Sequence, residues 1–296
     1  MKAFFRNLTI LSLLLGMFAS CSKDDDHVAE KKGAGKTAIL LVTFGSSYPE
    51  PAKTFQNMED NVKKAYPEAD ITWAFTSHII RNILIKRGEG KFKDIDSPEE
   101  AMKKLKEQGY EKIAVQSLHV IPGSEFNDLK GKVDAFKAAN SNIKMTLGNP
   151  LMNTDEDMKS LVDVMVKKFQ ADDQTVVMMG HGTEHAANDR YTRVNDFFKA
   201  ANEDFIVGTV EATPGIKEVK EAAALRPSKN ILLMPLMSVA GDHANNDMAG
   251  EDADSWKSQL EGAGFTVTPR LKGLGDYNEV VAIWVKHLKV AVDALK

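Results

Sequence analysis

From residue 37 to the C-terminus, short runs of β-branched and apolar residues alternate with longer stretches in which apolar residues recur at helical spacing. This alternation predicts βαβ units and a parallel sheet. Several of the short runs are apolar throughout, as is typical of strands covered on both faces. The predicted strands are residues 38–44, 70–75, 112–118, 144–147, 175–179, 205–210, 230–236 and 266–269. The predicted helices are residues 51–65, 97–108, 125–139, 154–169, 188–201, 216–224, 254–262 and 278–295.

The two halves of the chain resemble each other. Residues 112–125 align with 230–243, and residues 40–46 align with 177–183. A duplicated unit is the simplest explanation, and ligands are often bound in the cleft between two such domains. We therefore predict an α/β fold of two similar domains, each a parallel sheet flanked by helices, with a cleft between them. The predicted domains are residues 37–150 and 151–296.

The N-terminus carries an export pattern. Lys2 and Arg6 precede an apolar run over residues 8–18, and small residues follow it up to Cys21. This pattern predicts a signal peptide over residues 1–20, since the run is short for a membrane span. The position of Cys21 resembles the lipobox of bacterial lipoproteins, so we expect lipidation there and a flexible tether over residues 21–36. The expected product is an exported lipoprotein in the periplasm or at the outer-membrane surface, held to the membrane by its lipid alone.

Composition and charge narrow the possible functions. The 296 residues are 43% hydrophobic and 27% charged, which is ordinary for a globular protein. The net charge is −4 and basic residues form no long run, so nucleic acid is an unsuitable partner. Cys21 is the only cysteine, which excludes internal disulfides, thiolate zinc sites and cysteine nucleophiles from the folded domain. A metal there must be bound by His, Asp or Glu.

Polar residues follow three predicted strands of the C-terminal half. They are His181, Glu211 and the pair Asp242 and His243. Ligands in α/β sheets bind beyond the carboxyl ends of the strands, so neighbouring strands could bring these side chains to one cleft. Imidazole and carboxylate suit divalent Co, Ni, Fe or Zn, and two His with one Glu leave coordination positions open.

A competing interpretation starts from residues 181–185, His-Gly-Thr-Glu-His, which satisfy the H-x-x-E-H pattern of one class of zinc proteases. Such a protease requires both histidines on one helix. Here His181 directly follows a predicted strand and precedes Gly182, so we expect His185 to begin the next helix.

A series of motifs resembles the CbiK family of sirohydrochlorin cobaltochelatases, the anaerobic cobalt chelatases, over residues 36–295. They are Phe-Gly-Ser-Ser-Tyr at 44–48, Gln-Ser-Leu-His at 116–119, Met-Gly-His-Gly at 179–182, Val-Glu at 210–211, Leu-Met-Pro-Leu-Met at 233–237 and Ala-Gly-Asp-His-Ala-Asn-Asn-Asp-Met-Ala at 240–249. The resemblance implies the class II chelatase fold, with two α/β domains around a tetrapyrrole cleft. It also implies Co(II) as the substrate metal, with Ni(II) or Fe(II) as alternatives, and no organic cofactor.

The same resemblance implies the site residues. The metal ligands are expected to be His181, Glu211 and His243, with His181 also accepting pyrrole protons because an ordinary imidazole pKa is about 6.5. Glu211 is expected to compensate for the hydration that the cation loses, and Asp242 to orient an imidazole. Expected contacts to the macrocycle are Gly45, Ser46, His119 and Met237. Candidate partners for its carboxylates are Arg81, Lys86, Arg87, Arg190 and Arg193.

Other functions remain open at this point. Export and a lipid anchor favour a carrier that binds haem or a corrinoid without turnover. The H-x-x-E-H pattern leaves a zinc protease as a weaker alternative. The sequence leaves open whether the protein is a homo-oligomer.

Overall fold

The computed structural model describes residues 31–296, so the predicted signal peptide, Cys21 and most of the tether lie outside the described residues. The described chain contains two four-stranded parallel sheets. The first comprises β1 (Thr37–Thr43), β2 (Asp70–Phe75), β3 (Lys112–Ser117) and β4 (Lys144–Gly148), and the second comprises β5 (Thr175–Gly180), β6 (Phe205–Thr209), β7 (Asn230–Pro235) and β8 (Thr266–Pro269).

The two sheets have the same strand order. It is β2-β1-β3-β4 in the first sheet and β6-β5-β7-β8 in the second. The predicted α/β fold of two similar parallel-sheet domains is thus confirmed. The boundary between residues 150 and 151 stays a prediction.

Helices flank both sheets. They are α1 (Pro51–Ala65), α2 (His78–Arg87), α3 (Pro98–Glu107), α4 (Ser124–Ala139), α5 (Asp155–Phe169), α6 (Asp189–Ala201), α7 (Ile216–Ala224), α8 (Trp256–Gly262) and α9 (Asn278–Asp293). Every predicted strand and helix is present with ends within two residues of those predicted. Helix α2 was not predicted, because its isoleucines are spread around the helix and give no one-sided apolar pattern. Within residues 31–296, no helix combines the length and apolar character needed to cross a membrane.

Apolar residues on both faces of each sheet form the core. In β1, Ile39 and Leu41 belong to a cluster that also contains residues of the second sheet, whereas Leu40 and Val42 belong to a cluster on the opposite face. Alternate side chains of a strand point to opposite faces, so both faces of β1 are buried. This burial explains why β1 is apolar throughout.

Helix α9 covers the first sheet although it ends the chain. The Trp284 indole donates a hydrogen bond to the His119 carbonyl at 3.3 Å, and Thr146 Oγ1 of β4 donates to the Ala291 carbonyl at 2.9 Å. The buried His287 ring places Nε2 2.9 Å from Asp157 Oδ1 of α5. Burial opposes ionisation of Asp157, but hydrogen bonds from His287 and Thr154 outweigh it and keep the Asp157 pKa below its usual value. These contacts connect the two halves of the chain.

Candidate metal centre

Three adjacent strand ends of the second sheet carry the predicted metal ligands. Strand β5 lies between β6 and β7, so their carboxyl ends are neighbours. His181 follows β5 directly, Glu211 lies two residues beyond β6, and His243 lies in the segment after β7. The Glu211 N–H donates to the His181 carbonyl at 2.9 Å. Backbone pairing therefore continues past the sheet and holds these two residues side by side.

The three side chains converge. Their potential ligand atoms all lie within 4.8 Å of one another. His181 Nδ1 is 3.6 Å from Glu211 Oε2, and the His181 and His243 ring centroids are 4.5 Å apart. The side chains of His181, Glu211 and His243 are 47%, 53% and 31% exposed. The group is therefore accessible to a hydrated ion from solvent, while the assignment of each residue as a ligand stays a prediction.

Each imidazole has an oxygen atom beside Nδ1. His243 Nδ1 is 2.8 Å from Asp247 Oδ2, and His181 Nδ1 is 2.8 Å from the Gly182 carbonyl oxygen. An oxygen acceptor favours the tautomer with the proton on Nδ1, which leaves the Nε2 lone pair for a metal.

The carboxylate that orients His243 is Asp247 and not Asp242, which was the residue expected from the sequence. Asp247 lies in a turn of π-helix over Ala244–Met248, four residues after His243. Asp242 Oδ1 instead accepts hydrogen bonds from Tyr48 Oη at 3.0 Å and from Asn246 Nδ2 at 2.9 Å. Asp242 therefore connects the two halves of the chain at this position.

Glycines allow the close approach that the site requires. Gly182 has φ +85°, and a Cβ there would lie 2.8 Å from the backbone nitrogen of Ala212, next to Glu211. A Cβ at Gly180 would lie 2.4 Å from a ring carbon of the buried Tyr191. Burial raises the pKa of Tyr191 to about 12, although backbone hydrogen bonds from Gly182 and His181 oppose this shift. A neutral phenol thus packs beneath His181.

The zinc-protease interpretation is wrong. Residues 181–185 are not helical, so His181 and His185 do not share a helix face. His185 precedes the 3₁₀ turn Ala186–Asn188, and its Nδ1 accepts a hydrogen bond from the Ala187 N–H at 3.1 Å. His185 therefore begins the helical segment that leads into α6, as expected, while His181 lies with Glu211 and His243.

The four residues expected to contact the macrocycle differ from one another in location and in burial. Gly45 and Ser46 lie in the loop after β1, and a Cβ at Gly241 would be 3.3 Å from Ser46 Oγ. Met237 is half-buried. His119 is only 8% exposed, with Nδ1 2.8 Å from Ser117 Oγ. Burial lowers the pKa of His119 to about 4, so its imidazole is neutral near pH 7. The predicted role of all four residues in binding stays a prediction.

The basic residues expected to bind the substrate carboxylates differ in whether they are already paired with other groups of the protein. Arg193 forms a bidentate pair with Asp155, and Arg81 lies 3.4 Å from Glu100, so these two are engaged within the protein. Arg190 lies 3.6 Å from Asp189. Arg87 Nη1 donates to the Ser47 carbonyl at 2.9 Å, and Lys86 beside it is exposed. Arg87 is therefore the cation of this set that contacts the loop after β1.

The first sheet has a counterpart of the metal centre. The Thr76 N–H donates to the Thr43 carbonyl at 2.9 Å and the Ser77 N–H to the Phe44 carbonyl at 3.2 Å. These bonds repeat those from Val210 to Gly180 and from Glu211 to His181 in the second sheet. Phe44 is thus the counterpart of His181, and Ser77 is the counterpart of Glu211.

The counterpart of His243 in the alignment of the two halves is Glu125, which accepts a hydrogen bond from Thr76 Oγ1 at 2.9 Å. Phenylalanine, serine and glutamate offer only one strong ligand for a divalent cation. The first half therefore lacks the donor set of the second. We did not predict this divergence, although the alignment of residues 40–46 with 177–183 already places Phe44 on His181.

Comparison with known proteins supplies independent evidence. The model of the family described as cobalt chelatase (CbiK) matches residues 37–293. The sirohydrochlorin cobaltochelatase CbiKC of Nitratidesulfovibrio vulgaris is 35% identical over 263 residues, which cover 88% of this chain and 92% of the relative. The sirohydrochlorin cobaltochelatase of Salmonella typhimurium is 37% identical over 261 residues, which cover 87% of this chain and 97% of the relative.

Solved structures support the fold. SirB from Bacillus subtilis, determined with Fe³⁺, aligns with a TM-score of 0.62 and 15% identity, covering 87% of this chain and 96% of SirB. The sirohydrochlorin chelatase SirB from Bacillus subtilis subspecies spizizenii, in complex with cobalt, aligns with a TM-score of 0.60 over the same shares of the two chains. At this identity the likeness concerns the arrangement of the two sheets and their helices.

Proposed function

The chain belongs to the cobalt chelatase (CbiK) family, and from that premise we propose that it inserts Co(II) into sirohydrochlorin. The observation that carries the proposal is the convergence of His181, Glu211 and His243 at three adjacent strand ends. The relatives that match most of this chain are named sirohydrochlorin cobaltochelatases, which favours an enzyme over a tetrapyrrole carrier.

The reaction replaces two pyrrole N–H protons of the macrocycle with one Co²⁺ ion, so two protons must leave for each metal inserted. His181 and His243 each present an Nε2 lone pair, and Glu211 supplies the negative charge that compensates for lost water ligands. Three protein ligands leave coordination positions open, so the ion can exchange them for ring nitrogens. The side chains are about half exposed, so protons accepted by His181 or Glu211 can pass to water.

We extend the proposal to other metals. Imidazole and carboxylate ligands also suit Ni(II) and Fe(II), so both are expected to compete with Co(II) for this centre. The proposed reaction needs no organic cofactor, because neither electrons nor a carbon group are transferred.

The test is a triple variant, His181→Ala, Glu211→Ala and His243→Ala. Calorimetric titration with Co(II) should show loss of the high-affinity site. Absorbance of sirohydrochlorin under anoxia should show no metalation above the uncatalysed rate. Glu184→Gln is a matched control, because Glu184 is an exposed acid near His181 and should be dispensable. Unchanged Co(II) affinity in the triple variant would refute the ligand assignment, and binding of sirohydrochlorin by the wild type without metalation would favour a carrier.

We also propose that the protein is exported and anchored by lipid at Cys21. The support is the sequence pattern of residues 1–21 alone. Fractionation of cells that express the wild type and Cys21→Ala tests this placement. The wild type should be found with membranes and the variant should be released. Wild-type protein in the cytosolic fraction would instead favour a biosynthetic role inside the cell.

A further inference from the structure

A second cleft lies on the second half of the chain and shares no residue with the candidate metal centre. Its volume is about 630 Å³. Sites for small organic ligands typically measure roughly 300–1,000 Å³. The lining comes from the end of α5 and the residues after it, from β7, and from the segment between β8 and α9. The residues that determine its chemical character are Lys168, Phe169, Leu232, Arg270, Lys272 and Tyr277.

Positive charge exceeds negative charge in this cleft. Lys168, Arg270 and Lys272 line it, and Asp276 is the one acidic residue of the lining. Lys272 Nζ lies 3.9 Å from Asp276 Oδ1, and Lys168 Nζ lies 3.0 Å from Oε1 of Glu279, which is outside the lining. Arg270 is therefore the one of these three cations that has no carboxylate partner among the described residues.

Arg270 has the features of an arginine that binds anions. Four of the six arginines in residues 31–296 are paired with a carboxylate, and Arg270 is not. Its Nε donates a hydrogen bond to Tyr277 Oη at 3.0 Å, and its guanidinium carbon lies 5.2 Å from the centroid of the Phe169 ring. Burial holds the pKa of Tyr277 above its ordinary value, so the phenol is neutral and does not compensate for the charge of Arg270. A guanidinium held in this way keeps its Nη atoms for bidentate contact with an oxyanion.

Apolar side chains lie beside these cations. Phe169 and Leu232 are partly buried against the core, and the ring centroids of Phe169 and Tyr277 are 5.4 Å apart. A small inorganic anion would make no use of this apolar surface. An apolar floor with cations at its edge is complementary to a ligand that has both an oxyanion group and an apolar part.

We propose that this cleft binds a small organic anion in which a phosphate or carboxylate group is attached to an aromatic ring or another apolar group. Arg270 binds the oxyanion, Lys168 and Lys272 add positive charge, and the apolar part packs on Phe169 and Leu232. The site is separate from the proposed metalation reaction, since none of its residues is a candidate metal ligand or an expected contact of the macrocycle.

The test is calorimetric titration of the metal-free protein with three probes. ATP carries phosphates and an aromatic base, trimesate carries carboxylates on a benzene ring, and tripolyphosphate has no apolar part. At least one of the two aromatic probes should bind more tightly than tripolyphosphate, and the tighter of the two identifies the oxyanion. In the double variant Arg270→Gln and Lys272→Gln, the Kd of that probe should rise at least about tenfold, because charge-assisted hydrogen bonds are lost.

Lys272→Gln alone leaves the packing of Arg270 on Phe169 and Tyr277 intact, because the Lys272 side chain is 54% exposed. It should raise the same Kd about two- to fivefold, since one partly exposed cation is removed. The matched control is the double variant Lys64→Gln and Lys103→Gln. It removes two exposed lysines from α1 and α3 and changes the net charge by the same amount as the cleft double variant. The control should bind the probe like the wild type.

Three results would overturn the proposal. The first is that neither aromatic probe binds to the wild type. The second is an equal loss of affinity in the control and in the cleft double variant, because that would indicate a general effect of charge. The third is that tripolyphosphate binds at least as tightly as both aromatic probes, because the apolar floor would then contribute nothing to binding.

Discussion

Buried His119 predicts a specific loss of stability in mild acid. Its side chain is 8% exposed, and burial lowers its pKa from 6.5 to about 4. Between these two values the unfolded chain binds a proton at His119 and the folded protein does not. The free energy of unfolding therefore falls as the pH falls from about 6.5 towards 4, and this contribution levels off below the folded pKa.

The size of the effect follows from the shift. One pKa unit corresponds to about 1.4 kcal/mol, so His119 should account for about 3 kcal/mol of stability lost between pH 7 and pH 4. That is a large fraction of the stability of a typical domain. The paired carboxylate of Asp157 has a lowered pKa, so its contribution is lost at lower pH than that of His119.

His119→Met is the variant that isolates this contribution. The Leu118 N–H donates to the Val42 carbonyl at 2.7 Å, as the Leu236 N–H donates to the Met179 carbonyl at 2.8 Å, so Met237 is the counterpart of His119. Methionine is thus the residue that the other half already uses at this position. Urea unfolding at a series of pH values between 7 and 4 should show a loss about 3 kcal/mol smaller in the variant than in the wild type.

The control for this experiment is His78→Gln, which changes an exposed histidine at the start of α2 and should follow the wild-type curve. Parallel pH profiles for the wild type and His119→Met would refute the reasoning, because they would mean that His119 is charged or hydrated in the folded protein.

Three further predictions concern the metal centre and the contact between the halves. Asp247→Asn should weaken Co(II) binding about 10- to 100-fold in calorimetry, because the carboxylate partner of His243 is lost, whereas Asp242→Asn should leave it nearly unchanged. Gly182→Ala should reduce both Co(II) affinity and thermal stability, since its Cβ would lie 2.8 Å from a backbone nitrogen beside Glu211; wild-type affinity would contradict this. His287→Phe should lower the free energy of unfolding by about 1–3 kcal/mol in urea titrations, because it removes the hydrogen bond between His287 and the buried Asp157 carboxylate while those from Thr154 remain, and an unchanged free energy of unfolding would argue against this contact.

The sequence was sufficient to predict the helices whose apolar residues recur at regular helical spacing and the strands that are apolar throughout. Strands such as β1 and β5 are visible as unbroken apolar runs because both faces are buried. Helix α2 was missed because only Ile80 and Leu84 turn towards the core, and its exposed isoleucines obscure the helical period. The spacing of apolar residues along a sequence indicates a helix only when those residues are buried in the core of the protein. A helix whose apolar residues remain exposed, such as α2, therefore lacks the expected spacing.

At the candidate metal centre, strand order could be used to place some residues, but it could not identify the hydrogen-bond partner of His243. His181 and Glu211 could be placed together, because residues that follow adjacent parallel strands must be neighbours. The choice between Asp242 and Asp247 could not be made in this way. It depends on the helical turn at Ala244–Met248, which brings His243 and Asp247 together because they are four residues apart. The sequence analysis assigned no helix to this segment.

The duplicated architecture shows how the candidate metal ligands come to lie in one half, while the first half, as described, has a different set of side chains at the matching positions. Each of β1 and β5 is followed by one residue and then by a glycine with positive φ, which is Gly45 at +100° after β1 and Gly182 at +85° after β5. The backbone therefore presents the preceding side chain in the same way in each half. At that position the first half has the apolar Phe44 and the second half has His181, a candidate metal ligand, and the positions of Glu211 and His243 differ between the halves as well. The loop after β1 contacts the His243 segment through the hydrogen bond from Tyr48 to Asp242, so the residues that follow β1 and the candidate metal ligands lie at the same junction of the two halves.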